Sequence, residues 1–431
     1  MIECFYYNNK MISFFIRIAN SIRVSYHLRK SQIFLETIMK KKVEINYAIL
    51  LPVFLLCILG LLSLYVALKL DKKSISYIQN ALIKQAIWLF LGLTIALICS
   101  FLSPKFLWKF APYVYVACVI ILILLLKYYD QNLFVQTGAK NWFNFGGITF
   151  QPTEIVKIGF ILILAKIATQ RAEYSTIKQD MLFLFKMFLV FLPIAILLLL
   201  QNDFGTLLVF ISIFIFIFFL SGASWKIIVP GFIIGLALGL VTLYLVTTDS
   251  GRKLLMFVGF KEYQFNRIDI WLNPFLDVNG ASYQISRALV AIGTGGLAGK
   301  GFGVSDIYVP VRESDMIFSV IGENFGFIGG AFLIGCYFIL IYQIFKVCLE
   351  CNNIFFVYIG SGVVAMIFFH IFENIGANIG VLPLTGIPLP FISQGGSSII
   401  SNFIGVGLTL SMSRFRDKNN LVQRGRRRII N

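Results

Sequence analysis

The chain alternates between ten long apolar stretches and shorter polar segments. A membrane-spanning helix needs about 20 predominantly apolar residues. The pattern therefore predicts ten spans, of which the fourth is the shortest, at residues 45–68, 86–101, 106–126, 154–168, 181–200, 205–220, 226–246, 316–345, 355–371 and 397–412.

The tract at 374–398, NIGANIGVLPLTGIPLPFISQGGSS, carries no charge and leads into the last predicted span. It cannot form a continuous helix, because its prolines lack a backbone donor and its glycines lower helix stability. Irregular backbone at membrane depth persists only where protein buries it or where it lines a polar cavity. We therefore expect this tract to re-enter the membrane and to form the wall of a site.

Composition agrees with a membrane protein, since 58% of the residues are hydrophobic and 13% are charged. We predict an all-α polytopic integral membrane protein with about ten transmembrane helices. One large outer loop and a re-entrant segment broken by proline and glycine before the last helix complete the expected architecture. Two polar stretches, 127–153 and 247–315, interrupt the spans on the predicted outer face, and the second is long enough to build a site.

The glycine-rich sequence GTGGLAGKG at 293–301 lacks the spacing of a phosphate-binding loop. Thr294 stands where that loop needs its first glycine, and Gly301 stands where it needs serine or threonine. We expect a flexible hinge between amphipathic pieces that lie on the membrane surface.

Basic residues flank the ends of the membrane region. Lysines at 40–42 precede the first span and seven arginines and lysines follow the last, so the positive-inside rule predicts that both termini are cytoplasmic. Four lysines after the first span depart from the rule: Lys69, Lys72, Lys73 and Lys84. The net charge is +17. Because the basic residues cluster beside membrane ends, we expect them to contact anionic membrane lipids and not nucleic acid.

The expected organisation has four parts. A cytoplasmic segment at 1–44 precedes the membrane domain at 45–412, which contains the outer loop at 247–315, and a basic cytoplasmic tail follows at 413–431. Met39, directly before the lysine run, is a candidate translation start, which would place 1–38 upstream of it. Cys348 and Cys351 form a lone CxxC without a second pair, so we expect no zinc site.

Ionisable residues within or beside the spans are functional candidates, because burial of charge in a membrane is expensive. They are Glu154, Lys157, Asp203, Asp315, Glu323 and Glu373. Glu154 and Lys157 share a helix face, and a structural ion pair and a direct role are equally open alternatives. Asp203 opens a span and is expected to cap its N-terminus.

Asp315 ends the large outer loop and follows Arg312, Glu313 and Ser314. Aspartate suits a helix N-cap, and the residues alone favour a cap for the eighth span. A partly desolvated carboxylate beside an acidic neighbour would instead have a raised pKa, which suits a general base.

Four motifs in order resemble those of the SEDS family (shape, elongation, division and sporulation), the RodA and FtsW group. They are GAKNWFNFGGITFQPTEIVK at 138–157, QNDFGT at 201–206, RIDIWLNPFLDVNGASYQ at 267–284 with AIGTGGLAGKG at 291–301, and the tract at 374–398. The wording of TGIPLPF and of HIFENIG at 370–376 favours the RodA side of the family.

The resemblance implies a peptidoglycan glycosyltransferase of the bacterial cell membrane that polymerises lipid II for elongation and rod shape. It implies a class B penicillin-binding protein as partner and Asp315 as the catalytic carboxylate, which lifts the catalytic interpretation above the cap. The implied substrate contacts are Glu154, Lys157, Lys140, Arg312, Tyr283, Gln284, Lys300, Ser393 and Ser397. No cofactor is expected with certainty, and a divalent cation at the diphosphate is left open.

The chain departs from the family pattern at several positions. Asn141, Asn202 and Gln394 replace the usual arginine, proline and tyrosine, and the residues around Asp315 differ. Two alternatives therefore stay open: a flippase for the lipid-linked precursor, since broken helices and intramembrane charges also characterise transporters, and an inactive scaffold for the cross-linking partner.

Overall fold

The computed structural model describes residues 46–171, 176–257 and 259–430, and it leaves undescribed the side chains of 136, 148, 263 and 416–430. The predicted cytoplasmic segment 1–44 and most of the basic tail lie outside the described residues or side chains. The helices are α1 (Tyr47–Leu70), α2 (Ile75–Cys99), α3 (Pro104–Tyr128), α4 (Gln131–Thr137), α5 (Pro152–Thr169), α6 (Ile177–Leu200), α7 (Phe204–Leu220), α8 (Trp225–Thr247), α9 (Asp249–Phe257), α10 (Glu262–Leu272), α11 (Tyr283–Thr294), α12 (Ile317–Leu349), α13 (Ile354–Asn378) and α14 (Gly396–Ile430).

Each of the ten predicted spans coincides with one helix of this series, and the fold is the predicted all-α membrane architecture. Seven described helices are long and apolar enough to cross a membrane: α1, α2, α3, α6, α8, α12 and α13. Helix α7 is apolar but shorter. Helix α5 carries Glu154, Lys157 and Lys166 within 18 residues, so composition alone does not mark it as a span.

Helices α5 and α13 form the centre of the bundle. Nearly every side chain of α5 is buried, and α13 packs against both α5 and α7. Helix α1 packs on α12, and α14 packs on α2. Helix α8 lies outermost, because among its described residues Val246 alone is buried.

Helix α12 is broken at Gly326, where φ is 62° and ψ is −160°. The loop that precedes it docks into this break. The amides of Lys300 and Gly301 donate to the carbonyls of Glu323 (2.9 Å) and Asn324 (3.2 Å), while the amide of Phe327 donates to the carbonyl of Gly296 (2.9 Å). The expectation of a flexible hinge is therefore wrong, since the glycines here permit close approach of two backbones.

The tract between α13 and α14 is irregular from 379 to 395, as predicted from its prolines and glycines. Protein surrounds it. The hydroxyl of Tyr337 in α12 donates to the carbonyl of Pro390 (2.5 Å), and Gly60 of α1 lies so close that a Cβ there would stand 2.6 Å from the carbonyl oxygen of Phe391. The non-helical backbone thus lies buried among helices, as the absence of water in hydrocarbon demands.

A short β-hairpin was not anticipated. Strands β1 (Phe143–Phe145) and β2 (Ile148–Phe150) pair antiparallel across Gly146 and Gly147, both of which have positive φ. The hairpin and α4 fill the first polar stretch, and α9, α10 and α11 fill the second. These elements are too short and too polar to register in a search for apolar spans.

Candidate active site

The loop that carries Asp315 is held by two other parts of the chain. Asn374 and Asn378, one turn apart on α13, both donate through Nδ2 to the backbone carbonyl of Asp315, at 2.9 and 3.0 Å. From the irregular tract, the hydroxyl of Ser393 donates to the carbonyl of Ser314 (2.6 Å), and the amide of Gln394 donates to the carbonyl of Glu313 (2.9 Å).

Asp315 does not cap α12. The residue in the N-cap position is Met316, and no side-chain hydrogen bond caps the helix there. The interpretation favoured from the residues alone, capping, is therefore wrong. Backbone carbonyls of the loop accept the hydrogen bonds that fix it. The side-chain carboxylate of Asp315 is therefore not needed for this structural role.

The surroundings of Asp315 raise the pKa of its carboxyl from the usual 3.8 to about 6. Desolvation by burial is the main cause, and the charge of Glu313 adds to it. A hydrogen bond from Ser314 and the charge of Arg267 act in the opposite direction. A carboxylate with a pKa near 6 is mostly ionised at neutral pH and is a stronger base than an ordinary aspartate.

A second acidic group lies beside this loop. Glu373 of α13 accepts hydrogen bonds at one oxygen, Oε1, from the amide of Thr385 (3.1 Å) and from its hydroxyl. The next residue, Gly386, has positive φ (+82°), and a Cβ there would lie 3.4 Å from Oδ2 of Asp315. Arg267 of α10 donates to the carbonyl of Thr385 (3.3 Å). The outer loop, α13 and the irregular tract therefore meet at Asp315.

Asp203 caps α7, as predicted. Its Oδ1 accepts from the amide of Thr206 (3.2 Å), and its Oδ2 accepts from the side-chain amide of Asn141 (3.1 Å). Gly205 in the first turn of α7 faces Thr385, where a Cβ would stand 3.0 Å from the carbonyl oxygen. The QNDFGT motif thus lies against the tract beside Asp315.

Glu154 and Lys157 pair inside the bundle. Nζ of Lys157 lies 2.8 Å from Oε1 of Glu154 and 2.8 Å from Nε2 of His370 on α13. Nδ1 of His370 lies 3.2 Å from the carbonyl of Pro388, which can only accept. Nδ1 therefore carries the proton and Nε2 accepts from the lysine ammonium. The hydrogen bonds from Glu154 through Lys157 and His370 to Pro388 therefore connect α5 to the irregular tract.

Two predicted substrate contacts already have acidic partners. Arg312 is buried and lies 2.5 Å from Oδ1 of Asp71 at the end of α1. Lys300 lies 3.0 Å from Oε1 of Glu323 and 3.4 Å from Oδ2 of Asp306. Their charges are matched within the protein, and their contact with substrate stays a prediction.

The other predicted contacts lie at separate points of the fold. The amide of Lys140 donates to the carbonyl of Gln201 (2.8 Å), and its ammonium lies 5.1 Å from the centre of the Tyr129 ring. Tyr283 and Gln284 begin α11. Ser393 holds the Asp315 loop, and the hydroxyl of Ser397 accepts from the amide of Gln151 (2.9 Å). Of this set, Ser393 touches the loop of Asp315.

Sequence reasoning did not single out Arg267, Asn374, Asn378 or Thr385, and it noted Glu373 only as an ionisable group in a span. All five lie inside the quoted motifs or at their edge, so position in a motif was the available signal. Which of them meet depends on contacts between residues more than 100 positions apart, as for Arg267 and Thr385.

Among the described residues no group of three or more His, Cys, Asp or Glu could hold a metal ion, and a divalent cation at a diphosphate stays a prediction.

Known proteins match most of the chain. The model of the FtsW, RodA and SpoVE family, described as cell cycle protein, matches residues 47–418. Peptidoglycan glycosyltransferase MrdB of Escherichia coli (strain K12) is 32% identical over 330 residues, which are 76% of this chain and 84% of that protein. A probable peptidoglycan glycosyltransferase FtsW of Enterococcus hirae is 34% identical over 401 residues, which are 90% and 97%.

A solved structure agrees with these matches. It is described as showing structural coordination of polymerization and crosslinking by a peptidoglycan synthase complex. Its matching chain is 30% identical and superposes with a TM-score of 0.70. The match covers 98% of that chain and 86% of the present chain. Sequence and fold therefore point to the same group of proteins.

Proposed function

The chain belongs to the FtsW, RodA and SpoVE family of cell cycle proteins, and from this membership we propose that it is a peptidoglycan glycosyltransferase that polymerises lipid II into glycan strands. Asp315 carries the proposal. Its carboxyl has a pKa near 6, and its loop is fixed by hydrogen bonds from α13 and from the irregular tract. A fixed carboxylate of raised basicity is what removal of a proton from a sugar hydroxyl requires.

In the proposed step, a hydroxyl oxygen of the acceptor sugar attacks the anomeric carbon of the donor. A carbon–oxygen bond forms there, and the bond from that carbon to the polyprenyl diphosphate breaks, so the configuration inverts. Asp315 takes the hydroxyl proton, and the diphosphate leaves with the electron pair. Diphosphate is a good leaving group, so the step depends less on an acid than on stabilisation of the departing charge.

Arg267 supports this scheme as a source of positive charge. The residue is exposed, its guanidinium donates to the carbonyl of Thr385 beside Asp315, and guanidinium matches the geometry of phosphate oxygens. Lys157 and Arg312, by contrast, are buried beside Glu154 and Asp71. We assign the contact with diphosphate to Arg267 first, and to Lys140 second.

The partner and the cellular role follow from similarity. A neighbour in fold belongs to a complex that coordinates polymerization with crosslinking, which supports a class B penicillin-binding protein as the partner of this chain. The similarity to MrdB, together with the TGIPLPF and HIFENIG sequences, supports a role in elongation on the RodA side of the family. The protein would lie in the bacterial plasma membrane with Asp315 on the outer face and both termini in the cytoplasm.

The test is product formation from labelled lipid II by the purified full-length protein, alone and with a co-expressed class B penicillin-binding protein. Polymer that a muramidase degrades would establish the glycosidic bond. Lipid II that crosses vesicle membranes unchanged would instead identify a flippase, which the break at Gly326 and the irregular tract also allow. An intact complex with the partner and no turnover would leave a scaffold.

A further inference from the structure

Glu373 has an unusual position for an acidic residue. It lies within the apolar helix α13, and its residue is 3% exposed. Two hydrogen bonds from Thr385 converge on one oxygen of its carboxylate. A buried carboxylate that accepts such bonds is held in one orientation, and burial of a charged side chain at this cost suggests a function.

The segment that Glu373 holds is the one that lies against Asp315. Thr385 is followed by Gly386, which faces Oδ2 of Asp315, and by Ile387, whose carbonyl accepts from Asn374 (2.8 Å). Asn374 donates to the carbonyl of Asp315 as well. Glu373 and Asn374, adjacent on α13, therefore hold the two ends of the segment 385–387 beside the Asp315 loop.

We propose that Glu373 is a positioning residue for the transfer reaction, holding the segment 385–387 against Asp315. The inference rests on the proposed function, because it assigns Asp315 the role of base. Gly386 fits this arrangement, since a side chain there would require strained backbone and would approach the carboxylate.

The charged groups that face Asp315 come from three elements. They are Arg267 of α10, Glu313 of the same loop, and Glu373 of α13. Arg267 stabilises the ionised form of Asp315, whereas Glu313 opposes it. Glu373 is not among the groups that shift the pKa of Asp315, so its proposed influence on that carboxylate is exerted through the segment 385–387.

Two substitutions separate geometry from charge. In Glu373→Gln the amide oxygen can still accept from Thr385, so we expect turnover close to that of the wild type. In Glu373→Ala the segment 385–387 loses its anchor, and we expect turnover about 10- to 100-fold lower with little change in KM. Glu350→Gln, at the opposite end of α12 from Asp315, removes the same charge far from the site and is the matched control.

The protonation of Asp315 can be followed without turnover. Infrared difference spectra between the full-length protein and its Asp315→Asn variant isolate the carboxylic acid band of Asp315, and its midpoint is read against pH. We expect Glu373→Gln, like the control Glu350→Gln, to leave this midpoint unchanged. Glu373→Ala, which frees the segment beside Asp315 and admits water to the carboxylate, should shift the midpoint and the acid limb of the pH–rate profile to lower pH.

The outcomes distinguish the two claims. An unshifted midpoint or full turnover in Glu373→Ala overturns the role of Glu373 even if the wild type makes polymer. A wild type that makes no polymer contradicts the proposed function, whatever the infrared midpoint shows.

Discussion

At Asp315, the surroundings that raise basicity also weaken the folded protein. The folded-state pKa of about 6 lies above the ordinary value of 3.8. Between these values the folded state binds the proton more tightly, so stability is lost as pH rises through this window. Asp315→Asn removes the desolvated charge, and we expect its melting temperature to exceed that of the wild type at pH 8 and to match it near pH 4. A lower melting temperature for the variant at pH 8 would argue against this account.

The proposed role of Asp315 as general base makes its pKa of about 6 set the pH dependence of catalysis. A general base must be ionised, so glycan synthesis should fall on the acid side with a midpoint near pH 6. The measurement is the initial rate of polymer formation from labelled lipid II between pH 5 and pH 8. A midpoint near 4, typical of an exposed aspartate, would show that the carboxylate is not desolvated during turnover.

The buried ion pair of Lys157 with Glu154 gives a further test at the residue scale. Loss of one partner leaves an unpaired charge inside the bundle, and Lys157→Met should cost about 3–5 kcal/mol of unfolding free energy. In the double variant Glu154→Leu with Lys157→Met, no charge is stranded and most of that stability should return. Thermal unfolding of the wild type and the two variants in one detergent measures this, and a double variant no more stable than the single one would show that the pair does more than match charge. Recovered stability with full polymer synthesis would assign the pair a structural role, whereas recovered stability without synthesis would favour a direct one.

At the scale of elements, two glycine substitutions test the docking of the loop at 296–301 into the break of α12. A Cβ on Gly299 would overlap the carbonyl of Asn324, and the positive φ of +82° adds strain. Gly293 in α11 has open space around it and an ordinary helical backbone. We expect Gly299→Ala to lower stability by more than about 2 kcal/mol, and Gly293→Ala to be neutral or slightly stabilising. Equal stability of the two variants would refute the docked loop.

Elements with a strong local signal could be predicted from the sequence, and those without it could not. Long apolar runs located a helix at each of the ten predicted spans, and the prolines of the tract ruled out a helix there. Asp203 was identified as a cap because a cap is a local feature. The β-hairpin and the docking of 296–301 depend on backbone pairing that has no apolar signature. The predicted capping role of Asp315 was wrong because four distant groups fix its loop instead: the side chains of Asn374, Asn378 and Ser393 and the amide of Gln394.

At the scale of the whole molecule, the ion pair between Arg312 and Asp71 places the lysines that follow α1 on the same face as Asp315. The proposed orientation makes this face external, against the positive-inside rule for those lysines. In a background without native cysteines, a membrane-impermeant maleimide should label Lys73→Cys in intact spheroplasts. It should label Glu350→Cys, at the other end of α12, only after permeabilisation. The reverse pattern would invert the topology and place Asp315 in the cytoplasm.

The most direct measurement of the central claim is the rate of glycan polymerisation from labelled lipid II by wild-type protein and by Asp315→Asn, each purified with a co-expressed class B penicillin-binding protein. Loss of a positioned general base typically costs about 100- to 10,000-fold. We expect polymer from the wild type and a loss of this size in a variant that folds and binds its partner as well. Polymer from the variant at a rate close to that of the wild type would show that Asp315 is not the base.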